Sequence, residues 1–209
     1  MSNDSLIKLE GNSLNKYDDT SFESISTKGF LGRLKLMTSN SDKCKKGEFP
    51  VNHYGLVSGS NVTDLGQELD IIVITWRPKA LDISDSDNMQ NIYDPKSEEF
   101  GRIMAQSTVK DSGCMFGPEF LVYIPSVKEF ASFFMCSISA RQEAPSMKAR
   151  LQKAATLKSQ LIETKKYSWQ APRITACSTP LEAPDQGALL KEVELFNNPA
   201  ESKVEKIQE

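Results

Sequence analysis

Apolar and polar residues alternate at Gly29–Met37, where leucines are interleaved with Arg33 and Lys35. Successive side chains of a strand point to opposite faces, so this pattern predicts a half-buried strand with both cations on its outer face. Glu68–Arg77 has the strongest strand pattern, because four consecutive apolar residues predict a strand that is covered on both faces. We expect Pro78 to end this strand, since proline cannot donate to a sheet ladder.

Shorter apolar runs between turn-forming residues predict more strands. They lie at Tyr54–Ser58, Phe120–Ile124 and Ser132–Ser137. A helix is predicted at Ser97–Ser107, because Ser97 can cap its first turn and apolar residues then recur on one face. A short amphipathic helix is predicted around Gly187–Phe196.

The longest helix is predicted at Pro145–Ile162. Proline is tolerated in a first helical turn, and at about 100° per residue the apolar side chains fall on one side of the helix. Arg150 and Lys153 fall on the opposite side, towards solvent. Thr164–Cys177 is predicted to continue as a strand, and Pro172 within it indicates a sheet edge or a bulge.

These elements and the chain length of 209 residues predict one main domain. We expect a flexible arm at residues 1–27, a domain at 28–180, and an acidic tail with a short helix at 181–209. The fold class is predicted to be α+β, a β-rich OB-like barrel with one long helix and flexible tails. Small barrels of this type bind single-stranded nucleic acid on an open face.

The net charge of −3 conceals a marked asymmetry. Basic residues collect in Lys28–Lys46 and in Arg141–Arg173, whereas both ends of the chain are acidic. Such blocks are compatible with a binding face for a polyanion, or with ordinary solvated surfaces. No apolar run approaches the roughly 18 residues of a membrane span, and the N-terminal sequence lacks a secretion signal. We expect a cytoplasmic protein, in the host cytoplasm if viral, with no membrane association.

Aromatic residues accompany the second basic block. Tyr167 and Trp169 are two residues apart in the last predicted strand, so their rings are expected on the same side as Lys165. Single-stranded nucleic acid binds to cations through its phosphates and to aromatic faces through its bases. The alternative is that both rings pack in the core. The candidate DNA-binding residues are Arg33, Lys35, Trp76, Arg150, Lys153, Lys165, Lys166, Tyr167, Trp169 and Arg173.

Residue patterns for catalysis and cofactor binding are sparse. The four cysteines are far apart, without a CxxC pair, and His53 is the single histidine. A zinc site needs clustered ligands, and the aspartates after residue 81 lack the glycine and terminal glutamate of a calcium loop. No glycine-rich phosphate loop is present. We therefore expect no enzymatic activity, no metal and no cofactor, with His53 or Cys114 as the candidates if the protein is an enzyme.

Three segments carry a family resemblance: KGFLGRLKLM, DSGCMFGPEFLVYIPS and ARLQKAATLKSQLIETKKYSWQAP. They resemble phage- or prophage-encoded accessory proteins of DNA replication and recombination, and more loosely phage single-stranded-DNA-binding proteins with an OB-type fold. The resemblance covers roughly residues 28–180. It implies DNA binding without base specificity, no catalysis, and contact of the tail with replication or recombination proteins. The final residues KVEKIQE depart from the denser acidic, aromatic-tipped tail of many such proteins.

The leading hypothesis is therefore a phage-type single-stranded-DNA-binding protein. The alternative is a structural or scaffolding protein of a viral particle whose basic face binds an acidic protein partner. Assembly into a homo-oligomer is compatible with either function.

Overall fold

The computed structural model describes residues 31–85 and 89–198, so the predicted arm at 1–27 lies outside the described residues. The strands are β1 (Gly32–Leu36), β2 (Tyr54–Ser58), β3 (Asn61–Asp64), β4 (Glu68–Asp82), β5 (Gln90–Ile92), β6 (Cys114–Ile124), β7 (Glu129–Phe134), β8 (Lys153–Glu163) and β9 (Ser168–Ala176). The helices are α1 (Asp42–Lys45), α2 (Glu98–Gln106), α3 (Ile138–Lys148) and α4 (Gln186–Asn197). The prediction of a mixed fold rich in strands is confirmed.

All these strands belong to one sheet, in the order β3-β2-β1-β7-β6-β4-β8-β9, with β5 paired to the end of β4. Neighbours are antiparallel except for β1 and β7, which are parallel. The sheet is open, with β3 at one edge and β9 at the other. The described strands therefore do not close into the predicted barrel.

The sheet is nevertheless strongly curved. β3 and β4 lie five places apart in the strand order, yet only residues 65–67 connect them. In a flat sheet these strands would be about 24 Å apart, whereas a connection of this length reaches about 14 Å. The curvature brings β2 close to β8 across the inner side, where the Tyr54 hydroxyl donates to the Lys158 carbonyl at 3.1 Å.

Apolar side chains are buried on both faces of the sheet. The inner cluster includes Ile71 and Val73 of β4 together with residues of α3, and the outer cluster includes Ile72 and Ile74 with residues of α4. The prediction that this part of β4 is covered on both faces is confirmed. A third cluster packs Phe100 and Ile103 of α2 against the far end of β4.

Pro78 does not end β4, contrary to the prediction. The strand continues to Asp82, and Pro78 lies directly opposite Pro118 of β6. Among the described strands, the other edge of β4 is unpaired at this point, because its pairing with β8 stops at Val73 and its pairing with β5 starts at Ala80. The missing N–H of Pro78 therefore removes no bond on that side of the ladder.

The predicted helix at Pro145–Ile162 is also wrong. The helix in this region, α3, begins earlier with Ser137 as its N-cap, so Pro145 lies inside it and not in its first turn. Residues 153–163 are strand β8, which pairs with β4 and β9. These residues are good helix formers, yet they form a strand here. The reason is that β4 and β9 satisfy the backbone hydrogen bonds of β8 and bury Ala155 and Leu157.

Several other elements match the prediction. β2 has the predicted bounds, and the Ser97 side chain caps α2 by accepting from the Phe100 N–H. The final strand is at a sheet edge, as Pro172 indicated, and the last amphipathic helix is present as α4. β3 and β5 were not predicted. Within 31–85 and 89–198, no helix is both long and apolar enough to cross a membrane.

Candidate nucleic-acid interface

The β8–β9 hairpin extends past the rest of the sheet. β8 pairs with β4 only over Lys153–Lys158, so beyond Ser159 its only described strand neighbour is β9. The turn at the tip is closed by Thr164, whose N–H donates to the Tyr167 carbonyl at 2.8 Å and whose hydroxyl accepts from the Tyr167 N–H at 3.0 Å. This turn places Lys165 and Lys166 at the end of the hairpin, exposed to solvent.

Both predicted aromatic rings reach solvent. The Tyr167 side chain is 72% exposed and that of Trp169 is 40% exposed, so neither is a core residue. The Trp169 indole N–H donates to the Ser139 hydroxyl at 2.8 Å, which orients the ring beside the start of α3. Tyr167 belongs to the turn, so the strand alternation used in the prediction applies to Trp169 alone.

Lys165, Lys166, Tyr167 and Trp169 therefore lie together at one end of the hairpin, and we call them the hairpin cluster. Neither lysine has an ion-pair or hydrogen-bond partner within the described residues. The cluster combines two uncompensated cations with two exposed aromatic faces, which is the composition that a single strand of nucleic acid requires.

Arg173 is engaged elsewhere. Its guanidinium lies 2.7 Å from one carboxylate oxygen of Glu143 on α3, and the other oxygen accepts from the Ile174 N–H at 3.3 Å. Glu143 thus neutralises Arg173 and satisfies a backbone donor of β9 that faces no other strand. A covered edge strand is protected from pairing with another chain. Arg173 is consequently paired with α3, although 57% of its side chain remains exposed.

Arg150 and Lys153 are distant from the hairpin cluster. Lys153 begins β8, and the length of that strand separates it from the hairpin tip by about 33 Å. Both residues belong to the tight turn after α3 and line a small cleft with the segment that follows β9. They form a second basic site.

Arg33 and Lys35 form a third site, on the outer face of β1. Both are exposed while Leu34 between them is buried, as the alternation predicted. Four strands separate β1 from β9 in the sheet, so Arg33 and Lys35 do not extend the surface of the last strand through strand pairing. Lys35 is exposed at the surface, but neighbouring atoms still desolvate its ammonium, and this desolvation, followed by the Arg33 charge, lowers the pKa of Lys35.

Trp76 does not belong to an open surface. A register shift between Val73 and Thr75 turns its side chain towards the inner cluster, where its ring lies 6.4 Å from that of Phe120. The Lys148 ammonium covers the ring, 3.3 Å from its centroid. A base cannot stack on a ring face that a cation already occupies, so this face of Trp76 is not available to a nucleic acid.

The sequence patterns missed two exposed apolar residues near the hairpin cluster. Ile138 directly precedes Ser139, and Leu161 is adjacent to Ile162, the residue opposite Trp169 in the ladder. Both side chains are exposed. Recognition of residues 153–163 as a strand would have placed Leu161 and Ile162 on opposite faces of the hairpin, so that both could not be buried by one partner.

The candidates for catalysis lie apart from one another. Cys114 is buried at the start of β6, where burial and then the Asp82 charge raise the pKa of its thiol and so disfavour the reactive thiolate. His53 contacts Asp64, with 2.8 Å between Nδ1 and the nearer carboxylate oxygen. In the described part of the chain, no group of three or more metal-binding side chains is close enough to hold an ion.

Comparison of the chain with protein-family models, with curated proteins and with solved structures found no match.

Proposed function

We propose that the protein binds single-stranded DNA without sequence specificity through the hairpin cluster. The observation that supports this function is the joint exposure of two aromatic rings and two uncompensated lysines at the end of a projecting hairpin. Bases stack on the rings of Tyr167 and Trp169, and phosphates contact Lys165 and Lys166. A role in phage-type DNA replication or recombination follows from the sequence resemblance and is part of the same proposal.

The expected energetics follow from the two kinds of contact. A base stacked on an aromatic side chain contributes about 1–3 kcal/mol, independently of its identity. Lysine contacts to phosphates displace counterions. For a single strand, each contact makes the slope of log affinity against log salt concentration more negative by about 0.7. Binding should therefore tolerate any base, and the two lysine contacts should give a slope of about −1.4, which is about a sevenfold loss of affinity between 50 and 200 mM salt.

The test is fluorescence anisotropy of a labelled oligo-dT and of its duplex counterpart across a salt series. We expect the single strand to bind more tightly than the duplex, because paired bases cannot stack on Tyr167 and Trp169. The variant K165E/K166E should bind the single strand at least about tenfold more weakly. Its slope of log affinity against log salt concentration should be smaller in magnitude by about 1.4, because two contacts are lost.

The matched control is K96E/K110E. It makes the same charge change at two lysines that flank α2 in the sequence, one before the helix and one after it. That helix packs at the other end of β4, far from the hairpin. The control should retain the affinity of the unmodified protein. Equal affinities of K165E/K166E and K96E/K110E, with both proteins folded by circular dichroism, would show that the hairpin cluster is not the binding site.

The alternative function is a scaffolding role in a viral particle. In that role the exposed apolar side chains of Ile138 and Leu161 would have to belong to one contiguous patch that a partner protein covers. A defined oligomer by light scattering, together with no preference for DNA over heparin, would support scaffolding over single-stranded-DNA binding.

A further inference from the structure

A cleft of about 100 Å³ lies at the opposite end of the hairpin from the tip. One wall is the turn after α3, which contributes Arg150 and Lys153, and the other is the segment after β9, which contributes Ser178 and Thr179. Its lining contains no acidic residue. In a protein with a net charge of −3, a cleft lined by two cations and two hydroxyls is an unusual concentration of donors.

The donors of this cleft are uncompensated. Within the described residues, neither Arg150 nor Lys153 has an ion pair, and the hydroxyls of Ser178 and Thr179 have no hydrogen-bond partner. Arginine and lysine can only donate, and a hydroxyl can donate as well as accept. The cleft therefore offers a ligand two cations and two hydroxyls, beside the less polar Ala154, Cys177 and Pro180.

Hydrogen bonds hold both walls of the cleft in place. On one side, the Lys153 N–H donates to the Arg150 carbonyl at 2.9 Å, and the Gln152 N–H donates to the Val73 carbonyl at 2.6 Å. On the other, the Cys177 thiol donates to the Thr179 carbonyl at 3.3 Å. These bonds tie each wall locally, and the first wall is also anchored to β4, so the cleft itself is formed before a ligand arrives. A site that is formed in advance loses less entropy on binding.

We infer that this cleft binds a phosphate monoester or inorganic phosphate. Such a group carries a charge of about −1.5 to −2 at neutral pH and has three strong acceptor oxygens, which match two cations and two hydroxyl donors. A phosphodiester inside a nucleic-acid strand carries a single charge and would leave one of the two cations uncompensated. The cleft thus differs from the hairpin cluster in the ligand that it selects, and its existence does not depend on the proposed function.

The first experiment is a titration of the full-length protein with inorganic phosphate, followed by ³¹P NMR. We expect saturable binding, and we expect the variant R150Q/K153Q to weaken it by about tenfold or more, because hydrogen bonds to charged groups are the strong ones. The control K96Q/K110Q removes the same charge on the opposite side of the molecule and should bind phosphate as the unmodified protein does. Absence of saturable binding, or equal affinities of R150Q/K153Q and the control, would overturn the assignment.

A second experiment identifies the source of the phosphate. Oligo-dT with a 5′-phosphate is compared with the same oligonucleotide ending in a 5′-hydroxyl. A preference of about tenfold for the phosphorylated end that R150Q/K153Q abolishes would assign the cleft to the end of a DNA strand. Equal affinities of the two oligonucleotides, with inorganic phosphate still bound, would assign it to a small phosphorylated molecule.

The two proposals fail separately. The variant K165E/K166E should lower the affinity for oligo-dT and leave the affinity for inorganic phosphate unchanged. Retention of phosphate binding by a protein that binds no oligonucleotide would refute the DNA-binding function and leave the phosphate cleft standing.

Discussion

Glu119 holds a buried charge cluster on the outer face of the sheet. Its side chain is 3% exposed, and its two carboxylate oxygens lie 2.7 Å from Arg77 and 2.7 Å from Lys79. The guanidinium of Arg77 also lies 3.8 Å from the ring centroid of Tyr93 and donates to the Phe196 carbonyl of α4. Glu119→Gln keeps the size of the side chain and removes its charge, so that two buried cations lose their shared partner.

The expected loss of stability is large. The side chains of Arg77 and Lys79 are only 15% and 13% exposed, so water cannot replace the carboxylate fully. Removal of one partner from a buried ion pair costs about 3–5 kcal/mol. For a chain of this size each kcal/mol shifts the midpoint of thermal unfolding by about 2–4 °C, so we expect a decrease of roughly 10 °C.

The assay is thermal and urea unfolding followed by circular dichroism, with Glu68→Gln as the matched control. Glu68 lies 2.8 Å from Lys158, but these side chains are 58% and 47% exposed. An exposed pair contributes about 0–1 kcal/mol, so the control should unfold nearly as the unmodified protein does. If the free energies of unfolding of the two variants agree within about 1 kcal/mol, the view that Glu119 stabilises the sheet through buried ion pairs is wrong.

Three other outcomes are expected. Hydrogen bonds from Ser84 are the main cause that lowers the pKa of Asp82 from 3.8 to about 2. The ionised Asp82 carboxylate therefore contributes to stability above pH 3.8, and this contribution is lost as the pH falls towards 2. Acid unfolding in this range should therefore be less pH-dependent for Asp82→Asn, and an unchanged profile would contradict the assignment. Tyr54→Phe loses the hydroxyl bond to β8 and should lower the free energy of unfolding in urea by about 1 kcal/mol. Oligo-dT should quench the tryptophan emission of W76F, which retains Trp169, and should leave that of W169F unchanged; quenching in W169F would place the DNA near Trp76 instead.

The pattern of neighbouring residues was sufficient to predict elements whose burial follows the alternation of apolar and polar residues. Leu34 is buried between exposed Arg33 and Lys35, and the apolar run of β4 is covered on both faces. Ser97 caps α2 as expected, because a cap depends on residues within one helical turn. Each of these features is encoded within a few neighbouring residues, so the sequence alone was enough to predict them.

Local periodicity failed where distant partners decide the structure. Residues 153–163 are good helix formers, and they become β8 because β4 and β9 supply hydrogen bonds on both sides. Pro78 is tolerated inside β4 because no described strand requires its N–H at that edge. The pairing of β8 with β4 joins residues that are far apart along the chain, and it leaves no signal in a short window.

For the candidate binding site, the order of residues shows which chemistry is present: two basic blocks and aromatic residues within the second. The packing of the elements sets which of these side chains are available. It exposes Tyr167 and Trp169 beside two unpaired lysines, covers Trp76 with Lys148, and pairs Arg173 with a carboxylate of α3. The physical reason is that solvent exposure and charge compensation depend on which elements pack together, and the order of the strands in this sheet is set by contacts across its whole width.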